Sequence, residues 1–244
     1  MGSPVVVVIP CYRGPIEEVE LSLASALEVA DTAIIVDDGA DQRELDSLAG
    51  DRVRIVRRAE NGGPAAALDD GIAAAPEGAV ICRLDVRDTF YADAKRRQIE
   101  TVLRGECRAS ASPHFDPVAG RAHVPHAKWA TLIYRDSQFT QMATVFRRSV
   151  WAEVGIDRSY RWSEDWRFNL LVQHYIGWQM FPEVTCSAGM FPGGHSDTGG
   201  RARDADRKRV LHLGQVLGKP EKYAHFYNPI WCAKRGIAPL QRKA

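Results

Sequence analysis

Asp85 and Asp88 bracket the stretch Asp-Val-Arg-Asp that closes the apolar run Ala79–Leu84, and they are the residues best placed to do chemistry. Both carboxylates fall at the carboxyl end of a buried strand, and open α/β sheets collect their ligands outside those ends. Paired aspartate oxygens are hard donors that suit Mg²⁺ or Mn²⁺ bridging a diphosphate. An isolated Asp-x-x-Asp is common in loops, so its meaning depends on the elements around it. Three other groups stand at element boundaries: Asp37-Asp38-Gly39, Asn61-Gly62-Gly63-Pro64 and Glu164-Asp165.

The elements that position these groups read as alternating strands and helices. Val5–Ile9 is a continuous β-branched run, the pattern of a strand buried on both faces, and Pro10 is expected to end it. Ile16, Val19, Leu23, Leu27 and Ala30 follow at helical spacing. Ala33–Val36 predicts a second buried strand, and a short polar helix over 42–48 leads to a third at Val53–Val56. The Asn-Gly-Gly-Pro turn opens an Ala-rich helix over 65–75. A fourth strand over 80–84 and a helix over 93–103 complete the series. This alternation indicates parallel βαβ units.

The second half is less regular. Residues 107–147 read as short strands and loops, and His123-x-x-His126 reads as a loop because nothing nearby completes a metal site. Ser163 is expected to N-cap a helix with Glu164 and Asp165 in its first turn and Gly177 beyond its end. Phe168, Leu171, Val172 and Tyr175 form the predicted buried stripe. A glycine-rich loop over 189–200 precedes a basic helix over 203–217.

The bulk properties exclude several classes. The chain has 244 residues, 45% of them hydrophobic, and a formal charge of +1. That is enough apolar material for a sizeable core, and the near-neutral charge provides no global field toward nucleic acid or an acidic membrane surface. The five cysteines are widely spaced and form no C-x-x-C pair, so reduced thiols and a cytoplasmic location are expected. No stretch approaches the length of an apolar membrane span.

Taken in order, several blocks resemble one family. Val8-Ile9-Pro10-Cys11-Tyr12, Ile35-Val36-Asp37-Asp38-Gly39, Asn61-Gly62-Gly63, Arg83-Leu84-Asp85-Val86-Arg87-Asp88 and Glu164-Asp165-Trp166 look like the inverting glycosyltransferases of the GT-A fold, family 2. Arg147-Arg148 followed by Val154-Gly155 resembles the segment that precedes the last motif. The resemblance implies an α/β GT-A core over 1–200, with a nucleotide-binding half at 1–105 and an acceptor half at 106–200. A basic helical extension at 201–244 would belong to the same domain.

The resemblance also implies roles. Pro10 and Tyr12 would floor the nucleotide base, Asp37 and Asp38 would meet the base or ribose, and Asn61 and Gly62 would let the backbone approach the nucleotide. Asp88 would be the metal ligand, for Mn²⁺ or Mg²⁺, with His195 as a further contact. Asp85 would brace Arg83 or the loop from behind. Arg87 departs from the family's usual Asp-x-Asp-Asp and would reach either a diphosphate oxygen or solvent. Asp165 would be the general base, held ionised by the helix dipole, with Glu164 in support. Arg201 and Arg203 would fold over the diphosphate. The implied donor is a nucleoside-diphosphate sugar, UDP being the commonest. The acceptor stays open among a glycan, an anionic lipid carrier and a modified nucleic-acid base, with four tryptophans (Trp129, Trp151, Trp162, Trp166) as candidate stacking faces. Two rivals are a degenerate module that binds nucleotide or glycan without catalysis, motivated by Arg87, and a sugar nucleotidyltransferase. The second would want a Gly-rich phosphate loop where Cys11-Tyr12-Arg13-Gly14-Pro15 stands.

Overall fold

The β-branched runs form the centre of a seven-stranded sheet. In the computed structural model, which describes residues 2–189, 200–219 and 222, four strands lie side by side and parallel. They are β1 (Val5–Cys11), β2 (Thr32–Asp37), β3 (Val53–Arg57) and β4 (Val80–Arg83). Between them run α1 (Ile16–Leu27), a 3₁₀ helix (Arg43–Leu48) and α2 (Pro64–Ala74), and α3 (Ala92–Leu103) follows the short β5 (Thr89–Phe90). Alternate residues of β1 enter opposite cores: Val6 and Val8 join one cluster, while Val5, Val7 and Ile9 join the other. A strand covered on both faces must be apolar throughout, which is why this one lacks alternation.

The second half extends the sheet with antiparallel pairing. β6 (Ala109–Ala111) and β9 (Thr144–Arg147) run against each other, and β9 runs against β4, giving the order β10-β6-β9-β4-β1-β2-β3 with β10 (Gln179–Met180) at the edge. A separate four-stranded sheet, β5-β11-β7-β8, is built from β5, β7 (His114–Asp116), β8 (Arg121–His123) and β11 (Cys186–Ser187). Among the described residues the α-helices of this half are α4 (Trp129–Leu132), α5 (Arg148–Val154), α6 (Glu164–Tyr175) and α7 (Gly200–Gly218). Among the described residues no helix is long and apolar enough to cross a membrane. Cys11, Cys82, Cys107 and Cys186 are free, and Cys232 lies outside the described residues.

Three local expectations are corrected. β1 does not stop before Pro10; it continues to Cys11, with Pro10 opposite Val36. Leu84 N–H donates to the Val8 carbonyl, so Val8 and Pro10, which share parity, face the β4 side. Pairing with β4 ends at the Val8–Arg83 register, so the donor that proline lacks has no partner to lose. Ser163 does precede α6, but at φ +60° and with no side-chain cap bond. The predicted stripe on α6 is also too narrow. Trp166, Phe168, Asn169, Leu170, Leu171 and Val172 are all buried, because the helix is covered on most of its circumference.

Candidate active site

The carboxyl ends of β1, β2 and β3 are level: Cys11 lies opposite Asp37, and Asp37 opposite Arg57. Two loops interlock there. Asp37 is buried, and its two oxygens accept the N–H groups of Ala40 (2.9 Å) and Gln42 (2.8 Å), so it shapes its own loop. Asp38 is also buried and reaches across, accepting Gly62 N–H at 2.9 Å on one oxygen and Gly63 N–H at 2.8 Å on the other. Arg58 lies 3.0 Å from the same carboxylate. Gly39, at φ +75°, packs so closely that a Cβ there would lie 2.2 Å from the Glu60 carbonyl carbon. Only glycine satisfies both the conformation and the contact.

Tyr12 is exposed beside this floor, with the Arg13 guanidinium 5.1 Å from its ring centre. Pro10 is half-buried at the end of β1. An open cleft of about 480 Å³ lined by Gly39, Asp41, Arg57, Arg58 and Ala59 adjoins the loops. Asn61 is half-exposed and accepts Arg161 Nη1 on its Oδ1 at 2.8 Å. These loops offer a ligand a backbone-rich pocket with an aromatic edge, and they bring the first and second halves of the chain into contact.

The metal-motif loop is organised by one buried cation. Arg83, at the end of β4, donates from Nε and Nη2 to the two oxygens of Asp85 at 2.6 and 2.9 Å. Its Nη1 donates to Gln141 Oε1 at 2.9 Å and Glu164 Oε1 at 3.0 Å. Charged partners on two sides hold the guanidinium firmly protonated despite its burial. Both Asp85 oxygens are thus occupied by Arg83. Asp88 is buried with different surroundings: Gly189 N–H reaches Oδ1 at 3.3 Å, and no other side-chain bond holds it among the described residues. Burial, then the nearby Asp85 charge, pushes its carboxyl up to about 8.

A buried carboxylate at the mouth of a parallel sheet, with no cation bonded to it among the described residues, fits a hard cation, which would restore its ionised form. Asp85 is committed to Arg83, and among the described residues no cluster of three His, Cys, Asp or Glu could hold a metal unaided. A Mg²⁺-type ion there would take one or two carboxylates and complete its shell with water and substrate phosphates. Arg87 sits at φ +80°, costly for a non-glycine residue by about 1–3 kcal/mol. Its Nε donates to Glu18 of α1 at 2.5 Å, so the side chain is drawn to α1.

The Glu-Asp motif opens α6. Glu164 is buried on Arg83, while Asp165 is half-buried with Oδ1 accepting Trp166 N–H at 2.7 Å. The helix dipole was expected to hold Asp165 ionised. Burial outweighs it and, with the adjacent Glu164 charge, pushes the carboxyl up to about 6, Arg83 acting in the opposite direction. A carboxylate poised near neutrality is a stronger base than an ordinary one and is still ionised at pH 7.

Arg83 thus binds the metal-motif loop to the base-motif helix. Locally it is only a partner for Asp85; its bonds to Gln141 and Glu164 span 58 and 81 residues and leave no local signal. Arg201 and Arg203 lie in the first turn of α7, the first exposed and the second half-buried. His195 lies outside the described residues, as do the remainder of the glycine-rich loop, 190–199, and the basic tail. His123 stacks face to face on His114, with ring centres 5.0 Å apart, and lies 3.7 Å from Asp116. The stack belongs to the β7–β8 hairpin.

A sheet with a 3-2-1-4 parallel core extended by antiparallel strands defines an open α/β fold, and comparison with known proteins specifies it further. Residues 6–182 match the profile of Glycosyl transferase family 2, and the chain belongs to that family. No curated protein matches the chain in sequence. Among solved structures, residues 1–349 of S. aureus TarS superpose with a TM-score of 0.66 at 14% identity, covering 88% of this chain and 65% of that one. Longer S. aureus TarS gives 0.65 at 16% identity, covering 87% of this chain and 39% of that one. The complex of TarS 1–349 with UDP-GlcNAc gives 0.64 at 14%, covering 89% and 73%. The chain thus spans less than two thirds of the first two. At these identities the likeness establishes the GT-A-type fold, while the family match establishes membership.

Proposed function

We propose that this chain is an inverting, metal-assisted glycosyltransferase that moves a hexosyl group from a UDP-sugar to an acceptor hydroxyl, working in the cytoplasm. The observation that carries the reading is the Arg83 network, which ties Asp85 of the candidate metal loop to Glu164 beside the candidate base. TarS, similar in fold, is crystallised with UDP and with UDP-GlcNAc, which supports a uridine donor. In this reading the Asp37–Gly39 and Asn61–Gly63 loops with Pro10 and Tyr12 hold the nucleoside, and Arg201 and Arg203 approach the diphosphate from α7.

Asp88 would hold a Mn²⁺ or Mg²⁺ ion, whose chemistry is to neutralise charge on the departing diphosphate. Asp165 takes the proton of the acceptor hydroxyl as that oxygen bonds to the anomeric carbon. The bond from that carbon to the diphosphate oxygen breaks, its electron pair leaving with the nucleotide, so the anomeric configuration inverts. The Trp166 N–H orients the Asp165 carboxylate, while the Glu164 charge raises its basicity and Arg83 restrains it.

Water serves as a stand-in acceptor for the test. With Mn²⁺ and the glucose, galactose and mannose conjugates of UDP, GDP and dTDP, slow release of UDP is expected from the uridine donors. Proton NMR of the freed sugar, read before mutarotation, is expected to show the opposite anomer. Release with retained configuration would overturn the inverting mechanism. Release from no conjugate would favour a module that binds without turnover.

A further inference from the structure

Helix α7 lies beyond the residues covered by the family profile, yet it reaches the approach to the candidate base. Asp206 on this helix is buried. Its Oδ2 accepts the backbone N–H groups of Arg161 at 3.0 Å and Trp162 at 3.1 Å, and its Oδ1 accepts Arg209 Nη1 at 2.8 Å. Arg209 also lies 3.8 Å over the Tyr160 ring and donates to Ser159 Oγ at 2.8 Å, so the anchor is held from outside. The two amides sit directly before Ser163, which supplies no side-chain cap to α6. In the other direction, the Arg161 guanidinium holds Asn61 and passes over Gly63, where a Cβ would lie 2.8 Å from Nη1. The short span from Arg161 to Asp165 therefore runs from the donor-side turn to the candidate base, and one buried carboxylate fixes its backbone.

We propose that Asp206 is a positioning residue for transfer: by fixing the Arg161–Trp162 backbone it sets where Asp165 meets the attacking oxygen. The inference rests on the reading of Asp165 as base. Charge-assisted bonds to two amides are the strong kind, and the side chain is too buried for water to replace it fully. A displacement of about 1 Å at a reacting group can cost roughly a hundredfold in rate.

The test measures UDP release from a UDP-sugar with Mn²⁺, UDP affinity and thermal midpoint for each variant. Asp206→Ala is expected to lower kcat by about 10- to 100-fold, with a smaller loss of UDP affinity because the Gly62 and Gly63 amides keep their bonds to Asp38. Asp206→Asn alone turns its amide NH₂ toward the Arg209 guanidinium, and kcat is expected to fall as well. Combining it with Arg209→Gln removes that clash and leaves the amide oxygen free for both N–H groups, so kcat is expected to recover. A folded Asp206→Ala variant with wild-type kcat would overturn the proposal, as would a fall in kcat matched by an equal loss of UDP affinity. If the alanine variant does not fold, equal kcat in the asparagine single and double variants would overturn it. Asp165→Asn is measured alongside. If it keeps full turnover, the base reading itself fails; if it alone loses turnover, only the role of Asp206 fails.

Discussion

Asp165→Asn is expected to lower kcat for sugar transfer about a thousandfold, within the range of roughly 10²–10⁴ that a positioned general base contributes. Asparagine keeps the shape and can still accept Trp166 N–H, so the loss would be chemical. The wild-type pH profile provides the second arm of this test. With its carboxyl pushed up to about 6, Asp165 is ionised above that pH and protonated below it. Turnover should therefore hold steady above about pH 6 and fall as pH drops through it. An unperturbed aspartate would place the limb near pH 4. The acid limb should vanish from the residual activity of the asparagine variant.

Stability should move the other way. A carboxyl that holds its proton more tightly folded than unfolded destabilises the fold once ionised, and that stability is lost as pH rises from the unfolded value through about 6. At pH 7 the asparagine variant should melt no lower than the wild type. Full activity in Asp165→Asn, or a profile flat down to pH 4, would remove this residue from the mechanism.

Arg83→Met is expected to be the most damaging single change to both fold and activity. The substitution leaves Asp85 and Glu164 facing each other without the cation that joins them, and it strands Gln141 Oε1. Breaking a buried ion network by removing one partner costs about 3–5 kcal/mol, which for a chain of this size is roughly a 10 °C fall in Tm. Arg83→Lys separates charge from geometry. It keeps a cation but cannot supply the bidentate fork to Asp85 while also reaching Gln141 and Glu164. Its Tm is expected between wild type and methionine. Arg83 lowers the Asp165 pKa, so the acid limb of activity in any surviving methionine protein should shift upward. A methionine variant with wild-type melting and turnover would mean the two motifs do not depend on Arg83.

The parallel core was legible because buried parallel strands declare themselves as β-branched runs: β1, β2, β3 and β4 fall within a residue or two of their predicted ends. The helices between them carry apolar periodicity, and Gly177, at φ +92°, follows α6 as expected. What escaped was long-range. Glu18 attracts Arg87 across 69 residues, Arg83 joins Gln141 and Glu164, and Asp206 anchors a segment 44 and 45 residues earlier. Pro10 and Ser163 misled because local propensity ignores neighbours: the proline's missing donor points where β4 has ended, and the loop before α6 is anchored by Asp206. The β7–β8 hairpin and α5 are short, and their patterns are too brief to separate from loop. The candidate site was legible as a set of residue types at strand ends, while the bonds that assemble it were not.

The most direct measurement is isothermal titration of UDP, with and without Mn²⁺, into the wild type and Asp88→Ala. The expected result is UDP binding to the wild type that tightens with Mn²⁺, and an alanine variant in which the metal no longer matters while the fold is intact. UDP binding that ignores both Mn²⁺ and Asp88, or no UDP binding at all, would contradict a metal-assisted UDP-sugar transferase centred on this loop.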